Sequence, residues 1–218
     1  MNTPSHDLDT LKDIKKIMER SSRFISLSGI SGVVVGLCAI IGSAVAHYKI
    51  KNFYNNEYLS GNACPSCLKV DLIIIASIVF VVAFVTAAIF TFYKSKKQGV
   101  QFFGTASKRL LWNTMLPMIA GAFMLWRMME LGQYELIASG CLIFYGLALI
   151  NGSKYTIGEV RFLGYAEIIL GIINLWLVRK GLLFWTIGFG IFHIIYGAAM
   201  WWKYDRPGSG NDISENEI

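Results

Sequence analysis

V-D-L-I-I-I-A-S-I-V-F-V-V-A-F-V-T-A-A-I-F-T-F-Y, Val70 to Tyr93, is an apolar run whose one charged residue is Asp71. About 20 such residues in a helix cross the hydrocarbon core of a bilayer. An open sheet at that depth would leave backbone groups unpaired, so helix is the reading the run allows. Working outward, similar segments recur at about Phe24–Ala46, Leu110–Met129, Tyr134–Ile150, Ile157–Val178 and Leu182–Trp202. Tyr134–Ile150 is the shortest of them. Pro117 lies inside the third span and predicts a kink there.

Composition agrees with this reading. The 218 residues are 55% hydrophobic and 16% charged, with a mean hydropathy of +0.51. Soluble chains average about 25% charged residues, so an ordinary soluble domain is excluded, as is a disordered chain. The expected architecture is all-α: a polytopic bundle of six transmembrane helices over residues 24–204. The connections after the third span are short, which makes spans three to six antiparallel neighbours. Residues 1–23 place Leu8, Leu11, Ile14, Ile17 and Met18 at helical spacing among mixed charges. They are expected to form a cytoplasmic amphipathic helix, not a cleaved signal peptide. Residues 205–218 read as a disordered acidic cytoplasmic tail.

Basic residues set the orientation. With the N-terminus inside, Lys12, Lys15, Lys16, Arg20, Arg23, Lys94, Lys96, Lys97, Lys108, Arg109, Lys154, Arg161, Lys203 and Arg206 put fourteen on the inner side. Lys49, Lys51, Lys69, Arg127, Arg179 and Lys180 put six outside. This asymmetry predicts that both termini are cytoplasmic. It also accounts for the net charge of +6 without nucleic acid as a partner.

Two spans share a motif. Gly164-Tyr-Ala-Glu167-Ile-Ile-Leu-Gly171 and Gly190-Ile-Phe-His193-Ile-Ile-Tyr-Gly197 both read G-x-x-[E/H]-I-I-x-G. In each, the glycines and the ionisable residue share one helix face, and small residues let helices approach closely. Glu167 and His193 lie twelve and thirteen residues from the turn at Arg179 and Lys180. Matched depth predicts a hydrogen bond between them, and a second between Asn174 and Thr186 one layer nearer that turn. Such a pair could satisfy itself within a tight hairpin, or it could relay a proton or sense pH.

Cys64-Pro-Ser-Cys67 lies in the longest outer loop. A redox centre of the thioredoxin type needs a helix start in a βαβ context, and zinc needs more ligands than His47 adds. A short-loop disulfide is the expectation, with no metal site. The stretch Lys94–Arg109 carries Lys94, Lys96, Lys97, Lys108 and Arg109 around Phe102 and Phe103 and has no acid. It suits anionic lipid headgroups or a cytoplasmic partner, or is simply the charge that topology demands. Gly99 and Gly104 have phosphate-loop spacing, but Thr105 stands where the lysine belongs. Arg127 and Glu130 read as a salt bridge at the rim. No hydrolase or metalloprotease motif is present, so no catalytic residue and no cofactor is assigned.

The chain resembles a group of bacterial six-helix inner-membrane proteins. The resemblance is carried by S-S-R-F-I-S-L-S-G-I-S-G (Ser21–Gly32), G-L-A-L-I-N-G-S-K-Y-T (Gly146–Thr156), Leu163–Gly171 and Leu183–Gly197, about a third of the sequence. It implies a multi-pass protein of the bacterial inner membrane and carries over no activity. Two functions are then expected. One is a non-enzymatic anchor, sensor or regulatory component in the lipid bilayer, with a cytoplasmic protein partner and scope for homo-oligomers. The alternative is a small proton-coupled transporter using Glu167 and His193.

Overall fold

The computed structural model describes residues 29–59, 64–97 and 104–205, and every regular element among them is helical. Six helical runs follow in order: α1 Gly29–Asn52, α2 Pro65–Lys97, α3 Thr105–Glu130, α4 Ile137–Gly152, α5 Val160–Trp176 and α6 Val178–Tyr204. The runs containing α1, α2, α4 and α6 are long and apolar enough to cross a membrane. The other two differ for physical reasons. α3 carries Lys108, Arg109, Arg127 and Glu130 within its 26 residues, and α5 has only 17.

Amino-acid placement is that of a protein surrounded by lipid. Ile73, Val81, Phe84 and Ile89 of α2, Phe123 of α3 and Ile169 of α5 all point outward and are exposed. A soluble monomer rarely tolerates so large an apolar surface. Inside, the fully buried side chains include Ser139, Glu167 and Asn174 beside Leu142 and Ala148. Helices in lipid gain little by hiding leucine from one another, so close backbone approach and buried polar groups hold them together.

Glycines set the closest approaches. A Cβ on Gly36 would lie 2.6 Å from the Gly190 carbonyl oxygen, which packs α1 on α6. A Cβ on Gly146 would lie 2.6 Å from the Gly164 carbonyl, which packs α4 on α5. Gly121 of α3 packs on Phe144 of α4, and Gly42 of α1 packs on Val79 of α2. Gly29 lies against Trp201 and Gly36 against Gly190, so α1 and α6 are antiparallel. By the same test α5 is antiparallel to both α4 and α6, so α4 and α6 run parallel.

Several boundaries differ from the sequence expectation. Lys94, Lys96 and Lys97 form the last turn of α2, and Lys108 and Arg109 lie at the start of α3. The basic stretch is therefore mostly two helix ends, since helical hydrogen bonding extends past the apolar segment into its polar flanks. Asp205 belongs to the final helical turn Trp201–Asp205, not to a tail. The amphipathic segment 1–23 and residues 206–218 lie outside the described residues.

Candidate functional site

The buried polar centre lies where α4, α5 and α6 meet, and the local form of α6 creates it. After an α-helical turn at Gly181–Trp185, residues Thr186–Phe192 widen into a π-helix before the α-helix resumes at His193–Met200. Single π turns inside α-helices commonly mark functional positions. Here the His193 ring nitrogen Nδ1 lies 3.0 Å from the Gly188 carbonyl oxygen. A carbonyl only accepts, so Nδ1 carries the proton. In the neutral ring Nε2 is then the acceptor, and the Tyr145 hydroxyl from α4 donates to it at 2.7 Å. Phe189 packs against both rings, with centroids 5.1 Å from Tyr145 and 6.0 Å from His193.

Glu167 reaches this centre from α5. Its Oε1 lies 3.6 Å from His193 Nδ1, beyond hydrogen-bond length but within range of an ion pair. The residue is fully buried, and neither carboxyl oxygen has a hydrogen-bond donor among the described residues. Gly188 makes the approach possible: a Cβ there would collide with Glu167 Oε2 and Leu142. The structure thus brings Glu167 and His193 together, but the imidazole N–H is directed to the Gly188 carbonyl.

Asn174 and Thr186 do not meet. The Asn174 amide oxygen accepts from Ser139 Oγ at 2.8 Å and from the Ser139 N–H at 3.2 Å, while its NH2 donates to the Leu177 carbonyl at 3.2 Å. It ties the end of α5 to α4. Thr186 Oγ1 donates to the Leu182 carbonyl at 2.7 Å and also pairs with Ser43 Oγ on α1. The expected Asn174–Thr186 bond fails for a helical reason. In an unbroken α-helix Thr186 and His193, seven residues apart, would share a face. The π segment spends about one extra residue, turning Thr186 toward α1 and His193 toward α4 and α5.

Elsewhere, Cys64 and Cys67 are joined in a disulfide immediately before and within the first turn of α2. Arg127 Nη1 meets Glu130 Oε2 at 2.9 Å, and the Trp126 indole donates to Glu130 Oε1 at 2.8 Å. These bonds, Trp126 first, hold the exposed Glu130 carboxyl below the usual carboxylate range. In the α4–α5 connection, Glu159 Oε1 accepts from Lys203 Nζ at 2.5 Å and from the Tyr204 hydroxyl at 2.7 Å. The lysine bond draws the Glu159 carboxyl down to about 2.

Tyr145, Ser139, Ser43 and Gly188 are the partners that sequence reasoning missed. Tyr145 and Ser139 were visible as polar groups within an apolar segment, but their neighbours depend on helix rotation. Neither a protein-family model, a curated protein nor a solved structure matches this chain. Its class therefore rests on its own features: a helical bundle with four helices able to cross a membrane, closed around a buried carboxyl–imidazole–phenol cluster.

Proposed function

We propose that the chain is a six-span protein of the bacterial inner membrane with both termini cytoplasmic, acting as a non-enzymatic sensor or anchor for a cytoplasmic partner. The observation that carries this reading is the close packing of the ionisable cluster. Glu167 is wholly buried against Gly188 and Leu142, and His193 is capped by Tyr145 and the Gly188 carbonyl. A carrier site lines a cavity at discontinuous helices; a closed, hydrogen-bonded cluster suits a packing and sensing element. For the span count, α3 and α5 are about 39 and 26 Å long at 1.5 Å per residue. Together with the fourteen-to-six distribution of basic residues, those lengths support six crossings. The basic ends of α2 and α3 form the cytoplasmic docking surface.

Purified protein reconstituted into vesicles tests the carrier alternative. An imposed pH gradient is expected to decay no faster with the protein than without it. A decay that Glu167→Gln abolishes would make the protein a carrier instead. Photocrosslinkers at Lys97 and Lys108 in growing cells are expected to trap one recurrent cytoplasmic protein. Crosslinks to lipid alone would reduce the surface to a topology signal. In intact, reduced cells an impermeant maleimide is expected to label Cys64 and Cys67. Labelling that needs permeabilised cells would reverse the orientation.

A further inference from the structure

A second internal match accompanies the one between α5 and α6. Gly36-Leu-Cys-Ala-Ile-Ile-Gly-Ser43 of α1 and Gly146-Leu-Ala-Leu-Ile-Asn-Gly-Ser153, which ends α4, share five of eight residues. Position 146 follows 36 by 110, and position 190 follows 164 by 26.

Packing obeys the same two offsets. A Cβ on Gly36 would lie 2.6 Å from Gly190 O and 2.7 Å from Ile194 Cγ1; a Cβ on Gly146 would lie 2.6 Å from Gly164 O and 2.7 Å from Ile168 Cγ1. Two turns away, a Cβ on Gly197 would lie 2.7 Å from Gly29 O, and one on Gly171 would lie 3.0 Å from Ser139 O. These contacts of the α1–α6 crossing map onto contacts of the α4–α5 crossing. Because α1 opposes α4 and α5 opposes α6, the operation relating the two pairs is a two-fold axis lying across the helices. A residue meets its own counterpart only near such an axis. Glu167 and His193 are counterparts, and they meet at 3.6 Å.

We propose that the four core helices are two inverted copies of one helix pair, and that Glu167 and His193, meeting on their axis, form a binding site for a single proton. The carboxyl is fully buried and closely packed on its α6 side, where a methyl group on Gly188 would strike Oε2. With one proton between them the pair is neutral, whether as acid and imidazole or as carboxylate and imidazolium. Removing it leaves a net negative charge, and adding a second leaves a positive one. Either is costly in a low-dielectric interior, and parting α5 from α6 relieves it.

Among the described residues, few titratable groups face the pair. Tyr145 comes from α4, and Tyr196 lies one turn further along α6. The charged residues of α1, Lys49 and Lys51, stand at its far end. The counterpart of Tyr145 is Val35. That asymmetry gives the imidazole a phenol donor and leaves the carboxyl with none. The proposal rests on the membrane-bundle reading but not on the cytoplasmic partner.

The test uses the full chain in lipid nanodiscs, with thermal unfolding followed across pH. Wild-type Tm is expected to vary with pH, and Glu167→Gln to flatten that variation. Glu167→His alone and His193→Glu alone place like groups on the axis and are expected to lower Tm by about 5 °C or more. Combining them is expected to recover part of the lost Tm, since the exchanged imidazole no longer meets Tyr145, and to restore the pH dependence. A combined variant no better than the sum of the singles would overturn the axis; an unchanged pH profile in Glu167→Gln would overturn the site. Should the combined variant not fold, Gly36→Ala and Gly146→Ala decide the repeat. Equal losses of Tm support it, and a loss at only one position overturns it. Any of these failures would leave the crosslinking result standing.

Discussion

Tyr145 and His193 are joined hydroxyl to Nε2 at 2.7 Å across two helices that run parallel. Parallel neighbours in a bundle cannot be linked by a short turn, so this bond ties α4 to α6 where the chain itself does not. It also fixes the ring, because the phenol donates to Nε2 only while Nδ1 holds the proton toward Gly188.

Tyr145→Phe removes that donor and leaves the ring packing in place. Unfolding in detergent is expected to show a loss of about 0.6–2 kcal/mol, the range for hydrogen bonds between membrane helices. His193→Phe should cost at least as much, and adding Tyr145→Phe to it should cost little more. Full additivity of the two would mean the bond contributes nothing.

Gly188→Ala places a methyl group against Glu167 and Leu142. Overpacking of this kind costs about 1–3 kcal/mol. Shortening the acid with Glu167→Ala makes room, so the double variant should lose less than the two single losses combined. A neutral Gly188→Ala would show that the close approach at this turn is not required.

Asn174→Ala strands the buried Ser139 hydroxyl, at a cost of about 1–3 kcal/mol for a group left unsatisfied, while the Leu177 carbonyl keeps the Lys180 N–H. Thr186→Val breaks the bond to Ser43 on a different helix pair. The two losses are expected to add within about 0.5 kcal/mol. Strong coupling in a double-mutant cycle would mean that the residues interact after all.

The Glu159 carboxyl is drawn below its ordinary value of 4.5, to about 2, chiefly by the Lys203 hydrogen bond. Its folded value is lower than its unfolded one, so its contribution is complete above 4.5 and is lost as pH falls toward about 2. The pair lies at the surface, with Lys203 59% exposed, which limits its contribution to about 0.2–1 kcal/mol. Glu159→Gln should remove that amount at neutral pH and flatten the acid limb of the stability profile between those two values.

The helices were legible in the sequence because lipid demands long apolar runs, and Val70–Tyr93 could be little else. The depth of Glu167 and His193 was legible too, since residue counts from a shared turn translate directly into distance. Their azimuth was not. A constant angle per residue does not hold through Thr186–Phe192, because that region is wider than an α-helix. Hence the approach of Glu167 to His193 could be anticipated, while Tyr145, Ser139 and Ser43 could not. α2 and α3 also run past their apolar segments, because apolarity marks where lipid stops and not where hydrogen bonding stops.

The wide turn in α6 has a consequence for the lineage of such chains. It amounts to one residue inserted into a helix and absorbed without a loop, so its signature is a difference in length. A related sequence one residue shorter between Thr186 and His193 would set them six apart in an even helix, about 240° round from one another, so the hydroxyl would still face α1 and the imidazole α4. Both ties survive such a deletion, and the length of this interval can change within the lineage without breaking the buried cluster.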